Sequence, residues 1–212
     1  MKICVLCDDR YHPGNVVTDG LQFLRGAGHV LEFATAASTG TLSKAMADLI
    51  ILCKGQIEGN ECGEGLWMDA ELEKWFVEFV RSGGKLLVVH SGVVIEEKNR
   101  AFRSLVGGSF SHHPEACPIV YSTVGDFLTG AGIDDMEVHD EHYFIDLAVE
   151  KESLEIFLEG RSNHGCQPAG WFRKEGSGLV GVLTPGHFPA VWRQPHFKQL
   201  LTLCIDRLGG SR

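Results

Sequence analysis

The feature that most constrains this fold is a set of short, almost wholly apolar runs separated by segments with other patterns. Three such runs lie in the first half of the chain, at Ile3–Cys7, Leu49–Cys53 and Lys85–Val89. Each has the length of a strand, and the lack of polar alternation indicates that both faces of the strand are covered. The segment Asp69–Arg81 carries apolar residues at helical spacing. This alternation of strands and helices predicts a parallel sheet with right-handed crossovers.

The remaining elements follow from the same patterns and from glycine and proline signals at their ends. The predicted strands are Ile3–Cys7, Val30–Ala34, Leu49–Cys53, Lys85–Val89, Ile119–Val124, Leu154–Leu158, Ala169–Arg173 and Leu179–Leu183. The predicted helices are Asn15–Arg25, Ser43–Ala47, Asp69–Arg81 and Pro195–Leu208. We therefore expect an α/β fold, a three-layer sandwich in which helices cover both faces of a mostly parallel, flavodoxin-like sheet. The chain of 212 residues shows no linker or repeat, so residues 1–212 are expected to form a single domain.

The charge balance limits the classes of partner. The formal net charge is −9 and no basic stripe is present, which argues against nucleic acid and against an anionic membrane surface. Only five apolar residues follow Lys2 before Asp8, too few for a secretory signal. We therefore expect a cytoplasmic protein that binds a small molecule. Assembly into a homo-oligomer is compatible with the sequence.

The cysteines fit the same expectation. Seven are present, an odd number, and several lie inside apolar runs, so they are expected to be buried free thiols. Cys4 and Cys7 have the spacing of a metal or redox pair. Within a strand, however, their side chains would point to opposite faces, so packing in the core is the favoured interpretation.

Histidine is frequent, with ten in the chain, and its placement is not random. Four groups fall at the ends of apolar runs or in turn-rich connections: His90-Ser91-Gly92, Ser111-His112-His113-Pro114, His139-Asp140-Glu141-His142-Tyr143 and Pro185-Gly186-His187. Ligands of open parallel sheets bind beyond the carboxyl ends of the strands. The loops after the first, third and fourth strands should share that edge, and they carry Asp8, Asp9, Tyr11, His12, Lys54, Gln56, His90 and Ser91.

One alternative is a serine hydrolase. Ser91 follows a strand at a sharp turn, as a nucleophile does in a G-x-S-x-G elbow. Gly92 follows it, but Val89 stands where the first small residue belongs, so the motif is incomplete. A turn in which Ser91 bonds local backbone is the favoured interpretation.

The order of motifs in the second half carries a family resemblance. The motifs are Gly83-Gly84-Lys85 leading to His90-Ser91-Gly92, Leu105-Val106-Gly107-Gly108 leading to Phe110, His113 and Pro114, Asp140-Glu141 with Tyr143, Gly178-Leu179-Val180 leading to Gly186-His187, and Gln194-Pro195-His196-Phe197. In this order they resemble the ThuA-like family, named for trehalose utilisation. That family is similar in fold to class I glutamine amidotransferases. In the first half Tyr11-His12-Pro13 is the suggestive match.

The resemblance has a chemical consequence. Glutamine amidotransferases place a cysteine at the elbow and use it with a histidine and a glutamate. Here His90 stands at or beside that position, and no acidic residue closely follows His187. The comparison therefore implies that glutaminase activity is absent, and it implies a sugar or oxidised sugar as the ligand.

Two uses of the remaining imidazoles and carboxylates stay open. Several histidines with a carboxylate can bind a divalent metal such as Zn²⁺ and leave a position for substrate. The same groups without metal can act as general acids and bases, at a hydroxyl or at a carbon beside a carbonyl.

The candidate site is assigned on this basis, for the catabolism of trehalose or a related disaccharide, including its 3-keto form. The expected catalytic residues are His90, Asp140, Glu141 and His187. The expected substrate-binding residues are His12, Ser91, His113, Tyr143 and Trp192. The expected metal ligands are His90, His113 and His187. The competing hypothesis is a non-catalytic sugar-binding or regulatory module that kept the fold.

Overall fold

The fold is described from a computed structural model, which covers residues 1–35, 40, 42, 47–56 and 67–210. The predicted helix Ser43–Ala47 lies outside the described residues, apart from its last position. The helices are α1 (Gly14–Leu21), α2 (Phe23–Gly26), α3 (Ala70–Arg81), α4 (Arg100–Val106), α5 (Pro189–Arg193) and α6 (Pro195–Gly209). The strands are β1 (Lys2–Cys7), β2 (Val30–Ala34), β3 (Leu49–Cys53), β4 (Lys85–Val89), β5 (Gly108–His112), β6 (Cys117–Thr123), β7 (Met136–Asp140), β8 (Phe144–Leu147), β9 (Glu155–Ser162), β10 (Gly165–Glu175) and β11 (Gly178–Leu183).

Nine of these strands form one sheet, in the order β2-β1-β3-β4-β11-β10-β9-β6-β7. The five strands from β2 to β11 pair in parallel. Burial of β1, β3 and β4 on both faces explains why these three runs are almost wholly apolar. Two clusters of buried side chains lie on opposite faces of the sheet. Helices α1, α5 and α6 pack into one cluster, and α3 and α4 pack into the other.

The α/β class is confirmed, but the prediction of a mostly parallel, flavodoxin-like sheet is wrong for half of it. All pairings from β11 through β10, β9 and β6 to β7 are antiparallel. For two of these four pairings the reason is the length of the connection. Only residues 163–164 join β9 to β10, and only Gly176 and Ser177 join β10 to β11. Two residues can close a hairpin but cannot make the crossover that parallel strands need.

The structure also contains elements that the sequence pattern did not predict. Strands β5 and β8 form a separate two-stranded sheet. The buried positions of β5 are Gly108 and Ser109, and β8 has none, so neither strand shows an alternation of buried apolar residues. Strand β7 does alternate, since Met136, Val138 and Asp140 are buried and the residues between them are exposed. Its third inward position is a carboxylate, which cuts the apolar signature short.

The prediction of buried free thiols is confirmed for five of the described cysteines, whereas Cys166 is a free thiol that is only half-buried. Cys4 and Cys7 lie in the clusters on opposite faces of the sheet, so they cannot act as a pair. Burial raises the pKa of the Cys7 thiol to about 11, which keeps it neutral.

Among the described helices, the longest is α6, with 15 residues. None of them combines the length and the apolar character that crossing a bilayer requires.

Candidate functional site

A cavity of about 440 Å³ opens at the carboxyl edge of the parallel strands. Its walls come from the loops that follow β1, β4, β7 and β11, together with β5 and the residues just after it. The lining residues are Tyr11, His12, Val94, Phe110, His113, Glu141, Tyr143 and His187. The cavity therefore lies where ligands of α/β sheets bind.

His90 sits at the sharp turn that ends β4. Its φ is +45°, a left-handed conformation that costs energy for any residue other than glycine and that needs support from its surroundings. Its Nδ1 donates to the carbonyl oxygen of Thr184 at 2.8 Å, and its ring stacks on Tyr143 with 4.3 Å between the ring centroids. His90 thus occupies the elbow, and its Nε2 is fixed toward the site.

The turn after His90 is possible because Gly92 has no side chain. A Cβ atom at this position would lie 2.3 Å from the backbone carbonyl oxygen of Leu52 in the neighbouring strand β3. The backbone therefore passes closer to β3 than any other residue would allow.

His12 is oriented by a carboxylate that the sequence did not single out. Its Nδ1 lies 2.7 Å from Oδ1 of Asp9, and the other oxygen of Asp9 accepts the backbone N–H of Gly55 at 2.8 Å. Burial acts to raise the pKa of Asp9, but the hydrogen bond and charge of His12, together with the backbone N–H groups of Gly55 and Tyr11, lower it below its ordinary value. Burial lowers the pKa of His12. The Nε2 atom of His12 is buried and has no hydrogen-bond partner among the described residues.

Glu141 is at the centre of the site. Its Oε2 lies 3.1 Å from Nδ1 of His187 and 3.5 Å from Nε2 of His90, and its Oε1 lies 3.5 Å from Nε2 of His113. Burial acts to raise the pKa of Glu141, but the hydrogen bonds with His187 and His90 hold it well below its usual range. The hydrogen bond with Glu141 raises the pKa of His187. Glu141 is therefore ionised, and its negative charge favours protonated His187.

Four donor atoms converge, one each from His12, His90, Glu141 and His187, and all lie within 4.8 Å of one another. Two of the three expected metal ligands, His90 and His187, belong to this group. The third, His113, contacts the far oxygen of Glu141 instead, and His12 takes its place. His12 was predicted to bind substrate. A linear pattern does not show which way its ring points, so its place among the donor atoms could not be predicted.

Asp140 requires a correction. It was expected to be catalytic, but it is fully buried and does not line the cavity. Its two carboxylate oxygens accept the backbone N–H groups of Gly186, at 2.8 Å, and His187, at 3.0 Å. Burial raises its pKa, although these hydrogen bonds act in the opposite direction. Asp140 is a positioning residue that holds the loop on which His187 is presented.

Ser91 and Trp192, which are predicted to contact substrate, border a smaller pocket together with His12, His90 and His187. Both are buried, and neither is among the lining residues of the cavity. The indole of Trp192 donates to the carbonyl oxygen of Gly186 at 2.7 Å and packs edge-on against Phe197 in the core. A buried Ser91 behind His90 gives no geometric support to a serine nucleophile.

Tyr143 and His113 do line the cavity, as expected. The other histidines of the two motifs that contain His113 and Tyr143, namely His112, His139 and His142, do not. His142 contacts the hydroxyl of Ser162 at 2.7 Å, and His112 stacks on Phe144.

Four residues of the site had no predicted role: Asp9, Tyr11, Val94 and Phe110. The first two lie in the loop after β1, which was expected to reach the ligand-binding edge of the sheet. The spacing of Asp9 three residues before His12 is the signal that could have identified the orienting carboxylate. The apolar wall at Val94 and Phe110 has no local signal, because only the fold brings these residues to the cavity.

The fold and the site together define a class: an α/β protein that presents imidazoles and a carboxylate at the carboxyl edge of its parallel strands. The family model for ThuA, described as trehalose utilisation, matches residues 17–206. The chain therefore belongs to the ThuA family. A comparison with curated protein sequences finds no match.

Solved structures with similar folds agree with this assignment. A ThuA-like protein from Parabacteroides merdae has a TM-score of 0.77 at 15% identity, covering 100% of this chain and 91% of its own. A ThuA-like protein from Bacteroides uniformis has a TM-score of 0.74 at 14% identity, covering 98% and 89%. A β-galactosidase from Rahnella sp. has a TM-score of 0.68 at 13% identity, covering 97% of this chain but only 30% of its own. At these identities the likeness concerns the fold.

Proposed function

We propose that this protein is an enzyme of carbohydrate catabolism that acts on trehalose or a related disaccharide, with the 3-keto form as the preferred substrate. The observation that carries the proposal is the convergence of His12, His90, His187 and Glu141, of which His12, Glu141 and His187 line the cavity and His90 lies buried beside them. Membership of a family described as trehalose utilisation supports the substrate class. We place the activity in the cytoplasm, on a small sugar ligand.

The cavity suits such a ligand in size and in chemistry. Its volume of about 440 Å³ is within the roughly 300–1,000 Å³ of small-molecule sites. Tyr11, Phe110 and Tyr143 give it an aromatic side for the C–H faces of a sugar ring. Glu141 and His187 give it polar groups that can exchange hydrogen bonds with hydroxyl groups.

The protonation states support acid–base chemistry. The lowered pKa of His12 leaves a neutral imidazole that can accept a proton. The raised pKa of His187 leaves an imidazolium that can donate one to an oxygen. Proton transfer at a carbon beside a carbonyl requires one group that accepts a proton and another that donates one. The lowered pKa of His12 and the raised pKa of His187 provide such a pair. A 3-keto sugar has such a carbon, whereas the unoxidised sugar does not.

Glutamine hydrolysis is not part of the proposal. The elbow position that would carry the nucleophilic thiol is occupied by His90, whose Nδ1 is bonded to Thr184. The nearby Cys53 is fully buried, which raises its pKa well above the ordinary value and disfavours the reactive thiolate.

The test is turnover by the purified protein. The substrates are trehalose, sucrose and their 3-keto forms, each with the wild type, with His90→Ala and with His164→Ala as an exposed histidine control. We expect turnover of a 3-keto sugar, a loss of at least 100-fold in His90→Ala and no change in His164→Ala. Absence of turnover on all of these sugars would contradict the proposal.

The second candidate is a sugar-binding or regulatory module. It is favoured by the β-galactosidase match, because there a similar fold makes up 30% of a larger chain. This hypothesis predicts that calorimetry detects binding of a disaccharide or its keto form with no turnover. It also predicts that His90→Ala weakens binding without affecting any chemical step.

A further inference from the structure

We propose that His12, His90, His187 and Glu141 form a site for one divalent transition-metal ion, with Zn²⁺ as the best-matched ion. The site lies at the floor of the cavity, so the inference rests on the proposed sugar substrate. It changes the chemistry there: with an ion bound, the lone pairs of His12 and His187 would be ligands, and the metal rather than a protonated His187 would supply the positive charge beside the substrate. The site differs from the set of three histidines expected from the sequence, because it contains His12 and a carboxylate and leaves out His113.

The hydrogen-bond partners of two imidazoles determine which ring nitrogen carries a hydrogen. The Nδ1 of His90 faces the carbonyl oxygen of Thr184, which can only accept, so this nitrogen carries a hydrogen. The Nδ1 of His12 faces the carboxylate of Asp9 and carries one for the same reason. In the neutral form of each ring, Nε2 then carries no hydrogen and has a free lone pair. Both lone pairs point into a space that also holds the charged Glu141.

Such a space needs a cation, since lone pairs and a carboxylate repel one another. The Nε2 atom of His12 is buried and unpartnered among the residues that the structure describes, which indicates a ligand atom at this position. Metal-binding histidines usually donate their other N–H to a carboxylate or a backbone carbonyl. Asp9 and Thr184 are partners of these two kinds.

The distances between the donor atoms also match those around a bound ion. Nε2 of His90, Nδ1 of His187 and Oε2 of Glu141 form a triangle with sides of 3.4, 3.5 and 3.1 Å. Bonds of about 2.0–2.1 Å to Zn²⁺ in tetrahedral geometry place neighbouring donors roughly 3.3–3.4 Å apart. Three of the four donors are therefore already close to the required spacing. His12 lies within 4.8 Å of the others and would complete the set after a small movement.

The chemical type of the four donor atoms indicates which ions would bind. Three nitrogens and one carboxylate oxygen suit Zn²⁺ and neighbouring transition metals, whereas Mg²⁺ and Ca²⁺ prefer oxygen ligands. The second oxygen of Glu141 is directed to His113, which can hold the carboxylate in place. Because Glu141 and His187 line the cavity, an ion here would face the ligand. A hydroxyl next to a ketone offers two oxygens that could bind such an ion.

The competing explanation is that a proton alone supplies the positive charge, on His187. The experiment that separates the two is metal binding without substrate. Protein stripped with a chelator is dialysed against Zn²⁺, the bound metal is counted by mass spectrometry, and the visible spectrum of the Co²⁺ form is recorded. The same measurements are made on His12→Ala, His187→Ala and Asp9→Asn, with His164→Ala as the control.

We expect one equivalent of Zn²⁺ per chain and the absorption of four- or five-coordinate Co²⁺. Affinity should fall at least 100-fold in His12→Ala and His187→Ala, and about 10–100-fold in Asp9→Asn, which keeps the ligands but loses the orienting charge. His164→Ala should bind as the wild type does. Circular dichroism checks that each variant is folded, and Asp9→Asn tests the site without removing a ligand.

Two outcomes overturn the metal site: less than half an equivalent after reconstitution, or affinity that is unchanged in both His12→Ala and His187→Ala. Failure of the proposed function looks different. One bound equivalent with no turnover of any sugar would keep the metal site and remove the proposed activity. Equal turnover before and after complete removal of the metal would keep the activity and remove the metal from it.

Discussion

The Nδ1 atom of His187 lies 3.1 Å from Oε2 of Glu141, and this contact joins a loop at the edge of the sheet to a loop at its middle. Glu141 follows the edge strand β7, whereas His187 follows β11 in the middle of the sheet. The buried carboxylate of Asp140 spans the same gap by accepting the backbone N–H of His187. Two adjacent residues therefore hold His187, one through its backbone and one through its side chain.

The first prediction concerns Glu141→Gln. The amide keeps the shape of the side chain but removes the charge that favours protonated His187. We expect kcat to fall at least 100-fold with little change in KM, because the interaction acts mainly on the protonation state needed in the reaction. Steady-state kinetics with a 3-keto sugar measures this. A variant with more than half of the wild-type kcat would show that Glu141 is not part of the machinery.

The second prediction is the pH dependence of the same pair, measured in chelated protein. The folded-state pKa of His187 is raised above its ordinary 6.5, so its contribution to stability is full below about pH 6.5 and is lost as pH rises through the folded value. The folded-state pKa of Glu141 is lowered from 4.5, so its contribution is full above about pH 4.5 and is lost as pH falls.

The stability difference between wild type and Glu141→Gln should therefore be largest between about pH 4.5 and 6.5. Urea unfolding across this range measures it. In the same variant, the pKa of His187 followed by NMR should move down. A stability difference that keeps growing above pH 8 would contradict the assignment of the pair.

The third prediction is that Asp140→Asn disturbs the presentation of His187. An amide can accept a hydrogen bond through its oxygen only, so one of the two buried N–H groups at Gly186 and His187 loses its partner. Leaving a buried donor unpaired costs about 1–3 kcal/mol, which urea unfolding would detect. Metal affinity should fall in parallel. A loss of activity with unchanged stability and metal affinity would instead favour a direct catalytic role.

The fourth prediction concerns Tyr11, whose side chain lines the cavity although the residue is 58% exposed. Tyr11→Ala should raise KM about 3–10-fold, since one aromatic contact contributes roughly 1 kcal/mol, and it should leave kcat and the melting temperature unchanged. Tyr11→Phe keeps the ring and should behave as the wild type. A change in kcat alone would argue against a binding role.

The fifth prediction tests the turn that carries His90. Gly92→Ala places a Cβ against the carbonyl oxygen of Leu52, a rigid backbone atom that cannot move aside. We expect destabilisation of about 2–4 kcal/mol, from displaced backbone at the end of β4. Gly26→Ala is the matched control, because no atom lies within 4 Å of the added methyl group. Equal stability of the two variants would contradict the close approach.

Helix α3 shows how far local sequence reaches. Its start was predicted at Asp69, and this side chain accepts the backbone N–H of Leu72 as a helix N-cap. In the apolar stripe that the spacing predicts, Leu72, Phe76 and Val80 are buried. Trp75 and Phe79 are half-buried and pack against the same cluster. The signals that fix this helix lie within its own residues, so sequence alone was sufficient.

Strand β10 shows where local sequence fails. The apolar pattern predicted a strand over Ala169–Arg173, but the strand extends over Gly165–Glu175 and runs antiparallel to both neighbours. Direction depends on which strand lies alongside, and that is decided by connection length and by pairing across the sheet. The same limit applies to Asp140, whose burial in β7 depends on partners 46 and 47 residues away.

The sequence by itself determined the α/β class, most strand and helix positions, the resemblance to the ThuA family, and the presence of His90, Glu141 and His187 in loops. These properties follow from local hydrophobic patterns and short motifs. The tertiary structure alone decided that His12 rather than His113 joins the donor group, that Asp140 positions a loop, and which nitrogen of each ring faces the cavity. Those choices depend on hydrogen-bond partners far along the chain, such as Thr184 for His90, and a linear pattern carries no record of them.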